Sequence, residues 1–516
     1  MVDKMFKVPF EEALNLTGWG RFNIQLFSLC CSIIAAMVFE LYSVSYVVPA
    51  SACELNTTSS QQGLMAGLPL VGVIATSHLW GYLADTHGRR KMLCFSMTIG
   101  YVAGSLAAFS PNWIVLSVLK FMSSAAVSGA SALALALLGE STPAKQRSFL
   151  LLLTTSALLA CTGIMAVLAL PVLPLAFSYH IPLLDIQFNS WRLLNLIFSF
   201  PCLLTAIWAF CSCESPKYLL SVGEDQQSLD ILKRIFAENN GKSENSYQVK
   251  SIIFDEVNAT SKGKGFWVSI VEQTVPMFRT PLLKPTLLLG LLFILVFICV
   301  NSFIVWLPYI VDAFMSSVEK GATGLTICEM IRLSKNVTVV DEPQTCSMND
   351  TAMTMVFSIC VLLAALNVVG ALVLNYLGKR RLFIGIQMLS GAAALCISFS
   401  SYWVVSAVLL LTLMTDVLNF GFLSSFTVDL FPTYVKAKAV CLVIMLGRGS
   451  TILGINALKQ LLEHRCEAAF YLFGVLTIGA GFIGLLLPPD KSLFKEKESK
   501  LTEPVETISV QRHERY

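Results

Sequence analysis

The sequence is poor in charge. Asp, Glu, Lys and Arg make up only 13% of its 516 residues, whereas 55% are hydrophobic. Soluble domains carry roughly 25% charged residues, so a soluble protein with several separate cores is excluded. The sequence also lacks a G-x-x-x-x-G-K-[ST] phosphate loop, an H-E-x-x-H motif and paired C-x-x-C motifs, and its five histidines are dispersed. These absences argue against ATP-driven pumping and metal chemistry, so we expect no enzyme, no cofactor and no metal site.

Long apolar runs of about 18–25 residues fill most of the chain. Each run is long enough to cross a hydrocarbon core about 30 Å thick, and it must be helical because backbone amides in lipid have no water to bond. The sequence therefore predicts an all-α polytopic membrane protein. Its twelve transmembrane helices are expected at 24–48, 63–84, 92–110, 112–138, 148–171, 191–212, 287–309, 352–377, 382–400, 402–428, 437–461 and 466–487.

The basic residues are distributed unevenly along the chain. If both ends face the cytosol, 28 of the 36 Lys and Arg residues lie on that side, as the positive-inside rule requires. Both termini are therefore predicted to be cytosolic, in the plasma membrane or an intracellular vesicle membrane. The net charge of +3 hides this uneven distribution, which reports membrane topology and gives no indication of nucleic-acid binding. The predicted outward basic residues are Arg192, Lys320, Arg332, Lys335, Lys459 and Arg465.

Two motifs recur at nearly the same offset, which indicates that a six-helix unit was duplicated. "GYLADTHGRRK" (81–91) follows the second predicted helix, and "NYLGKRR" (375–381) follows the eighth. "ESTPAKQR" (140–147) and "DLFPTYVK" (429–436) follow the fourth and the tenth. The predicted organisation is a cytosolic N-terminus (1–23), two six-helix halves (24–212 and 287–487), a cytosolic linker (213–286) and a cytosolic tail (488–516).

This pattern of helices and motifs resembles the major facilitator superfamily. The motif at 81–91 is similar to its G-x-x-x-D-x-x-G-R-R/K signature, and "CESPKYLL" (213–220) is similar to the P-E-S-P-R-W-L mark of its sugar and organic-ion branches. More narrowly, "LTGWGRFNIQL" (16–26), Glu40 and "LNFGFLSSFTVDLFPTYVKAKA" (418–439) resemble the synaptic vesicle glycoprotein 2 group and its relatives. The resemblance implies the major facilitator fold, with two halves that alternate access to a central site.

Two departures from the synaptic vesicle glycoprotein 2 pattern stand out. Met37 occupies a position where this group usually carries an Asp, and Lys120 occupies one where it usually carries an Arg. The outward loop between the seventh and eighth helices (310–351) is also much shorter than in the synaptic vesicle glycoproteins themselves. These differences indicate a member of the broader group of relatives.

The resemblance implies a cytosolic gate of charged residues that locks the two halves when the protein is closed to the cytosol. Asn375 takes the place that Asp85 has in the first half, so such a gate is asymmetric. The alternative is that the basic residues only set the topology. The implied gate residues are Asp85, Gly88, Arg89, Arg90, Glu140, Arg147 and Glu214 in the first half, and Asn375, Lys379, Arg380, Asp429 and Lys436 in the second.

Four charged residues, Glu40, Lys120, Asp416 and Arg448, lie well inside predicted helices. Insertion scales put the cost of Arg, Lys or Asp at mid-helix at roughly 2.5–3.5 kcal/mol, so these residues are functional candidates. Small and polar neighbours on the same helix faces predict that they line a cavity. Desolvation favours the protonated form of a buried carboxyl group, so Glu40 or Asp416 is a candidate to bind and release a proton. The alternative is that both acids are fixed ion-pair partners of Lys120 or Arg448.

The resemblance also places the first, fourth, seventh and tenth helices around a central path. For the aromatic residues of the seventh helix, plain helix packing is the alternative to substrate contact. The predicted substrate or proton path comprises Glu40, Lys120, Asn301, Phe303, Trp306, Asp416, Asn419 and Arg448.

The outward loop at 310–351 contains Cys328 and Cys346. Because oxidising compartments favour disulfides, these two cysteines are predicted to pair. Sequons of the N-x-[ST] type predict glycosylation at Asn336 and Asn349 in this loop and at Asn56 in the first outward loop.

Two functions agree with these features. The first is a transporter that moves a small organic, ionic or zwitterionic solute by alternating access, coupled to H+ or Na+. The second is a vesicle membrane glycoprotein that acts as a receptor or trafficking regulator with little or no transport, which Met37 and Asn375 favour. The four charges inside helices favour transport, because a scaffold gains little from burying them. The expected partners are the solute, H+ or Na+ and the lipid bilayer, without nucleic acid, and we expect a monomer.

Overall fold

The computed structural model describes residues 7–253, 275–280, 282–321, 324–336, 349–431 and 433–489. Ten helices within these ranges are long and apolar enough to cross a membrane. Two further helices, Arg89–Ala107 and Ala144–Ala169, have 19 and 26 residues and occupy the third and fifth positions in chain order. At 1.5 Å per residue these two are about 28 Å and 39 Å long, enough to reach across a hydrocarbon core. The prediction of an all-α membrane fold is confirmed.

We number the helical spans in chain order and call the two faces cytosolic and outward according to the predicted orientation. Spans 1 to 6 are Arg21–Tyr42 continued by Val44–Ser51, Ser59–His87, Arg89–Ala107, Trp113–Val127 continued by Ala130–Glu140, Ala144–Ala169, and Ser190–Cys211. Spans 7 to 12 are Leu283–Glu319, Asp350–Leu377, Lys379–Cys396, Trp403–Met414 continued by Thr415–Leu418 and Asn419–Leu430, Thr433–His464, and Cys466–Gly484.

Single glycines separate span 2 from span 3 and span 8 from span 9. Gly88 has φ +101° and Gly378 has φ +83°, which are values that only glycine adopts without strain. In each case one helix ends at the residue before the glycine and the next begins at the residue after it. The two copies of the repeated motif therefore form the same tight turn, which explains why both keep this residue.

Span 7 extends ten residues beyond its predicted end at 309. The predicted outward loop starts at 310, but the helix continues to Glu319 because Ile310, Val311 and Phe314 are fully buried. A second helix, Ile327–Asn336, follows on the outward side. Between spans 5 and 6 the outward face carries a short hairpin of strands Tyr179–Ile181 and Ile186–Phe188.

The cytosolic face carries a small ordered layer. Strand Lys7–Pro9 pairs in parallel with strand Ser251–Ile253, and helices Phe10–Leu16, Pro216–Val222 and Asp225–Asn240 lie beside them. Asn239 joins this layer to the start of span 1. Its Oδ1 accepts a hydrogen bond from the backbone N–H of Phe22 at 3.1 Å, and its Nδ2 donates to Asn23 Oδ1 at 2.7 Å. The "LTGWGRFNIQL" segment therefore docks on the linker helix.

The halves pack closely near their outward ends. A Cβ on Gly63 of span 2 would lie 2.6 Å from the Oδ1 of Asn456 on span 11. A Cβ on Gly163 of span 5 would lie 3.0 Å from the Cβ of Cys360 on span 8. Glycine at these two positions lets helices of opposite halves approach each other, which is how small residues act in membrane interfaces.

Candidate functional site

Glu40 and Lys120 form an ion pair within the first half. Lys120 Nζ lies 2.8 Å from Glu40 Oε1, and the two side chains are 2% and 0% exposed. The second carboxylate oxygen, Oε2, accepts a hydrogen bond from the hydroxyl of Ser199 on span 6 at 2.8 Å. Each oxygen of Glu40 thus has a partner, and removal of either charge would leave the other buried and unpaired. In this conformation Glu40 is the ion-pair partner of Lys120, as the alternative interpretation predicts.

Span 3 closes around this pair. A Cβ on Gly104 would lie 2.6 Å from Glu40 Oε1 and 2.5 Å from the Oγ of Ser199. The carbonyl of the same glycine accepts a hydrogen bond from Asn195 Nδ2 of span 6 at 2.8 Å. Glu40 therefore faces spans 3, 4 and 6 of its own half. A role for Glu40 and Lys120 in a path between the halves stays a prediction.

Asp416 of span 10 is buried in a different environment. It is 2% exposed and lies in the one-turn 3-10 segment Thr415–Leu418. Asn419 Nδ2 donates a hydrogen bond to its Oδ1 at 2.9 Å, while its Oδ2 has no hydrogen-bond partner among the described residues. Within the same ranges Asp416 forms no ion pair with Arg448 or any other basic residue. This carboxyl group lacks the cation that Glu40 has.

Asp416 borders a small apolar cavity between spans 7 and 10. The cavity has room for about one water molecule. An ionised carboxylate in such surroundings is costly without a paired cation or several hydrogen bonds, whereas a protonated one is not. The residues that line the cavity are Cys299, Val300, Phe303, Leu413, Met414 and Asp416.

Asn301 and Phe303 of span 7 contact the neighbouring spans of their own half. Asn301 Nδ2 donates to Thr451 Oγ1 of span 11 at 3.3 Å. The ring of Phe303 stacks on Phe470 at 5.7 Å between centroids and meets Phe473 edge-on at 5.4 Å. Phe303 therefore packs against span 12 and also forms part of the wall of the Asp416 cavity.

Arg448 of span 11 is half-buried. Its place in a path between the halves stays a prediction.

Trp306 takes part in a cluster that the sequence did not reveal. Its indole Nε1 donates to the carbonyl of Ile455 at 3.0 Å, and the ammonium of Lys459 lies 4.8 Å from its ring centroid. The same ammonium lies 3.7 Å from the ring centroid of Tyr309 and 3.1 Å from Glu463 Oε1. Lys459, which is predicted to lie on the outward side, is only 2% exposed. The acid four residues after it was the available signal, since such pairs share a helix face.

Arg192 is a second predicted outward base that the structure buries. Its Nη1 donates to the carbonyls of Ala108 and Ser110, both at 2.8 Å, and its Nη2 lies 2.7 Å from Glu54 Oε1. The indole of Trp191 donates to the other oxygen of Glu54 at 2.7 Å. The Trp-Arg dipeptide therefore holds the outward ends of spans 3 and 6 to the segment after span 1.

The implied gate residues of the first half meet at the cytosolic ends of spans 2, 3, 4 and 6. Arg89 Nη2 lies 3.1 Å from Asp85 Oδ1 and 3.1 Å from Glu140 Oε1. Glu214 Oε1 accepts a hydrogen bond from the backbone N–H of Arg90 at 3.0 Å. These contacts all lie within the first half. Gly88 fits beneath them, because a Cβ there would lie 2.5 Å from Glu214 Oε2.

In the second half, the described gate contacts also stay within one half. Lys379 Nζ lies 2.5 Å from Ser425 Oγ of span 10, and the guanidinium of Arg380 donates to the carbonyl of Leu485 at the end of span 12. Arg147, Asn375, Asp429 and Lys436 lie on described helices, but their side chains fall outside the described part of the structure.

The predicted Cys328–Cys346 disulfide is wrong. Cys328 bonds instead to Cys466, the first residue of span 12, with a Cα–Cα distance of 5.6 Å. Helix Ile327–Asn336 packs against span 7 and brings Cys328 to span 12, which proximity in the sequence does not reveal. Cys346 lies outside the described residues, and Cys53 also forms a disulfide.

The predicted glycosylation sites lie in different surroundings. Asn56 is exposed in the turn between spans 1 and 2. The Asn349 amide donates to Glu319, and its backbone N–H donates to Asp312 Oδ1 at 2.7 Å. Asn336 ends a helix, with its side chain outside the described part. Glycosylation at all three stays a prediction.

Comparison with known proteins identifies the family. The model of the Major Facilitator Superfamily matches residues 28–455, so the chain belongs to this superfamily, whose members are transporters rather than enzymes. The chain is 29% identical over 239 residues to organic cation/carnitine transporter 7 of Arabidopsis thaliana, covering 46% of this chain and 45% of that protein. It is 29% identical over 229 residues to synaptic vesicle 2-related protein of Xenopus laevis, covering 44% and 39%. The matched part is thus less than half the length of these curated relatives.

Solved structures share the fold. The inward-open xylose transporter XylE from E. coli superimposes with a TM-score of 0.67 at 13% identity, covering 93% of this chain and 100% of that one. The D-xylose-proton symporter gives a TM-score of 0.64 at 13% identity, covering 92% and 99%. The expected major facilitator fold and the resemblance to synaptic vesicle 2-related proteins are both confirmed.

Proposed function

We propose that the chain is a secondary-active carrier of a small ionic or zwitterionic organic solute, which it moves by alternating access with coupling to protons. The observation that carries the coupling is Asp416, a buried carboxyl group with an unpartnered oxygen at the edge of an apolar cavity. Because no cation offsets its charge in the described residues, its protonation depends on the access of water, which changes when the halves rock.

The packing of the halves supports alternating access. The close approaches of Gly63 to Asn456 and of Gly163 to Cys360 lie near the outward ends, while the described gate residues bond within their own halves. This arrangement supports a carrier that is closed to the outside and faces the cytosol in this conformation. One sequence relative is named an organic cation/carnitine transporter, and one structural neighbour is named a D-xylose-proton symporter. Both names refer to small solutes.

The test is uptake into proteoliposomes of choline, carnitine, a dicarboxylate and xylose, with and without an imposed pH gradient. We expect the gradient to increase net uptake of an ionic solute. Asp416→Asn should abolish this stimulation but keep solute exchange at equal pH, because a permanently neutral side chain cannot carry the proton. Asp185→Asn is the matched control, since Asp185 is 95% exposed in the outward hairpin.

Three outcomes would count against the proposal. Uptake that ignores the pH gradient would overturn proton coupling, and full stimulation in Asp416→Asn would overturn the role of that residue. Absence of uptake for every solute class by folded protein would overturn the carrier itself and favour a receptor or trafficking role in a vesicle membrane.

A further inference from the structure

An aromatic cage surrounds the ammonium of Lys459. The Nζ atom lies 3.7 Å from the ring centroid of Tyr309 and 4.8 Å from that of Trp306. Both distances are within the roughly 6 Å over which an aromatic face attracts a cation. The two rings meet edge to face, with centroids 6.0 Å apart, so they form two walls of one site. Because Trp306 is fully buried and Lys459 is 2% exposed, water competes little for this ammonium.

A carboxylate completes the site. Glu463 Oε1 lies 3.1 Å from the ammonium of Lys459. One carboxylate and two aromatic faces therefore contact one ammonium group. The carboxylate attracts a cation by its charge, and the aromatic faces attract it by their quadrupoles.

The position of the cage links it to movement of the halves. Lys459 lies seven residues after Ile452 and three after Asn456, so the three residues share one face of span 11. Gly67 and Gly63 of span 2 cover that face near Ile452 and Asn456. Separation of the outward ends of the halves would withdraw span 2 from this face and open the face to the outside.

We propose that this cage recognises the ammonium group of an organic cation, and that Lys459 occupies it as an internal ligand while the outward side is closed. The inference rests on the proposed function as a carrier and specifies its substrate class as small primary or quaternary ammonium compounds. An arriving ammonium displaces that of Lys459, whose flexible stem allows it to leave the cage, and Lys459 returns when the solute has passed.

The test removes the Lys459 ammonium by substitution and supplies an ammonium group from solution. In purified Lys459→Ala, we expect n-propylammonium to raise the melting temperature by several degrees in a saturable manner, and the neutral isostere propan-1-ol to have no such effect. Wild-type protein should respond at least tenfold more weakly, because Lys459 competes. Adding Trp306→Leu to Lys459→Ala should abolish the response. Lys320→Ala is the matched control, because Lys320 is an exposed base at the end of span 7.

Equal effects of n-propylammonium and propan-1-ol, or an unchanged response in Lys459→Ala/Trp306→Leu, would overturn the cage as an ammonium site. If Lys459→Ala does not fold, Lys459→Met keeps most of the stem, and titration with methylammonium against methanol decides by the same criteria. These measurements need no transport, so their failure is separate from failure of the carrier. In proteoliposomes, preference for 3,3-dimethylbutan-1-ol over its charged isostere choline would overturn the substrate class alone.

Discussion

Glu40 and Asp416 are both buried acids on spans predicted to surround the centre, but their neighbours differ. Glu40 has a lysine and a serine at hydrogen-bond distance, so its charge is stabilised in place. Asp416 has one amide donor, and its other oxygen has no hydrogen-bond partner among the described residues. Burial without a paired cation disfavours the ionised form of a carboxyl group. The difference supports the proposal that Asp416, rather than Glu40, carries the proton.

This difference predicts the stability of variants in the first half. Glu40→Gln and Lys120→Met should each destabilise the protein by about 3–5 kcal/mol, because each leaves a buried charge unpaired. The double variant should be clearly more stable than the sum of the two effects, since no charge remains. Thermal unfolding of the purified proteins in detergent measures this coupling. Strictly additive losses would contradict a direct pair.

At the level of single residues, the sequence predicted four charges inside helical spans but only part of their pairing. Glu40, Lys120, Asp416 and Arg448 stand out because charge is rare inside apolar runs. Lys459 did not stand out, because it lies near a predicted helix end where a basic residue is ordinarily solvated. Only the packing of spans 7 and 11 shows that its ammonium points between two aromatic rings.

At the scale of elements, the outward helix Ile327–Asn336 is covalently bonded to span 12. The Cys328–Cys466 bond joins residues 138 positions apart, and Arg332 Nη2 lies 2.6 Å from Glu467 Oε2 just beyond it. Helix and span are thus linked by a covalent bond and an ion pair. The predicted Cys328–Cys346 bond would have closed only a local loop within the outward segment.

The disulfide can be tested by peptide mapping and by stability. Under non-reducing conditions, proteolysis should release a peptide that links Cys328 to Cys466. Cys328→Ser and Cys466→Ser should each lower stability by about 2–4 kcal/mol, and the double variant should lose no more than either one. Cys396→Ser, which removes an exposed free thiol, is the control and should leave the melting temperature unchanged. Recovery of Cys328 linked to any other cysteine would contradict the assignment.

At the scale of the whole molecule, the two halves contact each other near their outward ends. The described contacts of the cytosolic charged residues lie within each half. Arg89, the centre of the repeated motif, bonds to Asp85 and Glu140 of its own half. Asp85 is 74% exposed, whereas Glu140 is 18% exposed and is therefore the less screened partner. In this conformation the motif joins the cytosolic ends of spans 2 to 4, and a lock between halves would require them to approach on that side.

The outward contact predicts a cross-link between the halves. Gly163→Cys places a thiol beside the native Cys360, because a Cβ at 163 lies 3.0 Å from the Cys360 Cβ and a small shift reaches the 3.5–4.5 Å of a disulfide. Mild oxidation should give a proteolytic peptide that links residue 163 to Cys360. It should also stop uptake until a reductant is added. Gly163→Cys/Cys360→Ser is the control and should show neither effect. A variant that cross-links without any loss of uptake would contradict movement at this interface.

The sequence by itself determined the fold class, because apolar runs predicted a helical membrane protein and a repeated glycine-containing motif marked the junctions of spans 2 to 3 and 8 to 9. These features depend on local chemistry: the length of an apolar run fixes a membrane crossing, and a positive φ fixes glycine at 88 and 378. Tertiary structure decided which residues form ion pairs and disulfides with each other. Glu40 meets Lys120 across 80 residues, Cys328 bonds to Cys466 across 138, and one oxygen of Asp416 has no hydrogen-bond partner in the described part of the chain. Such choices depend on how helices rotate and pack against one another, which the spacing of residues along one chain does not specify.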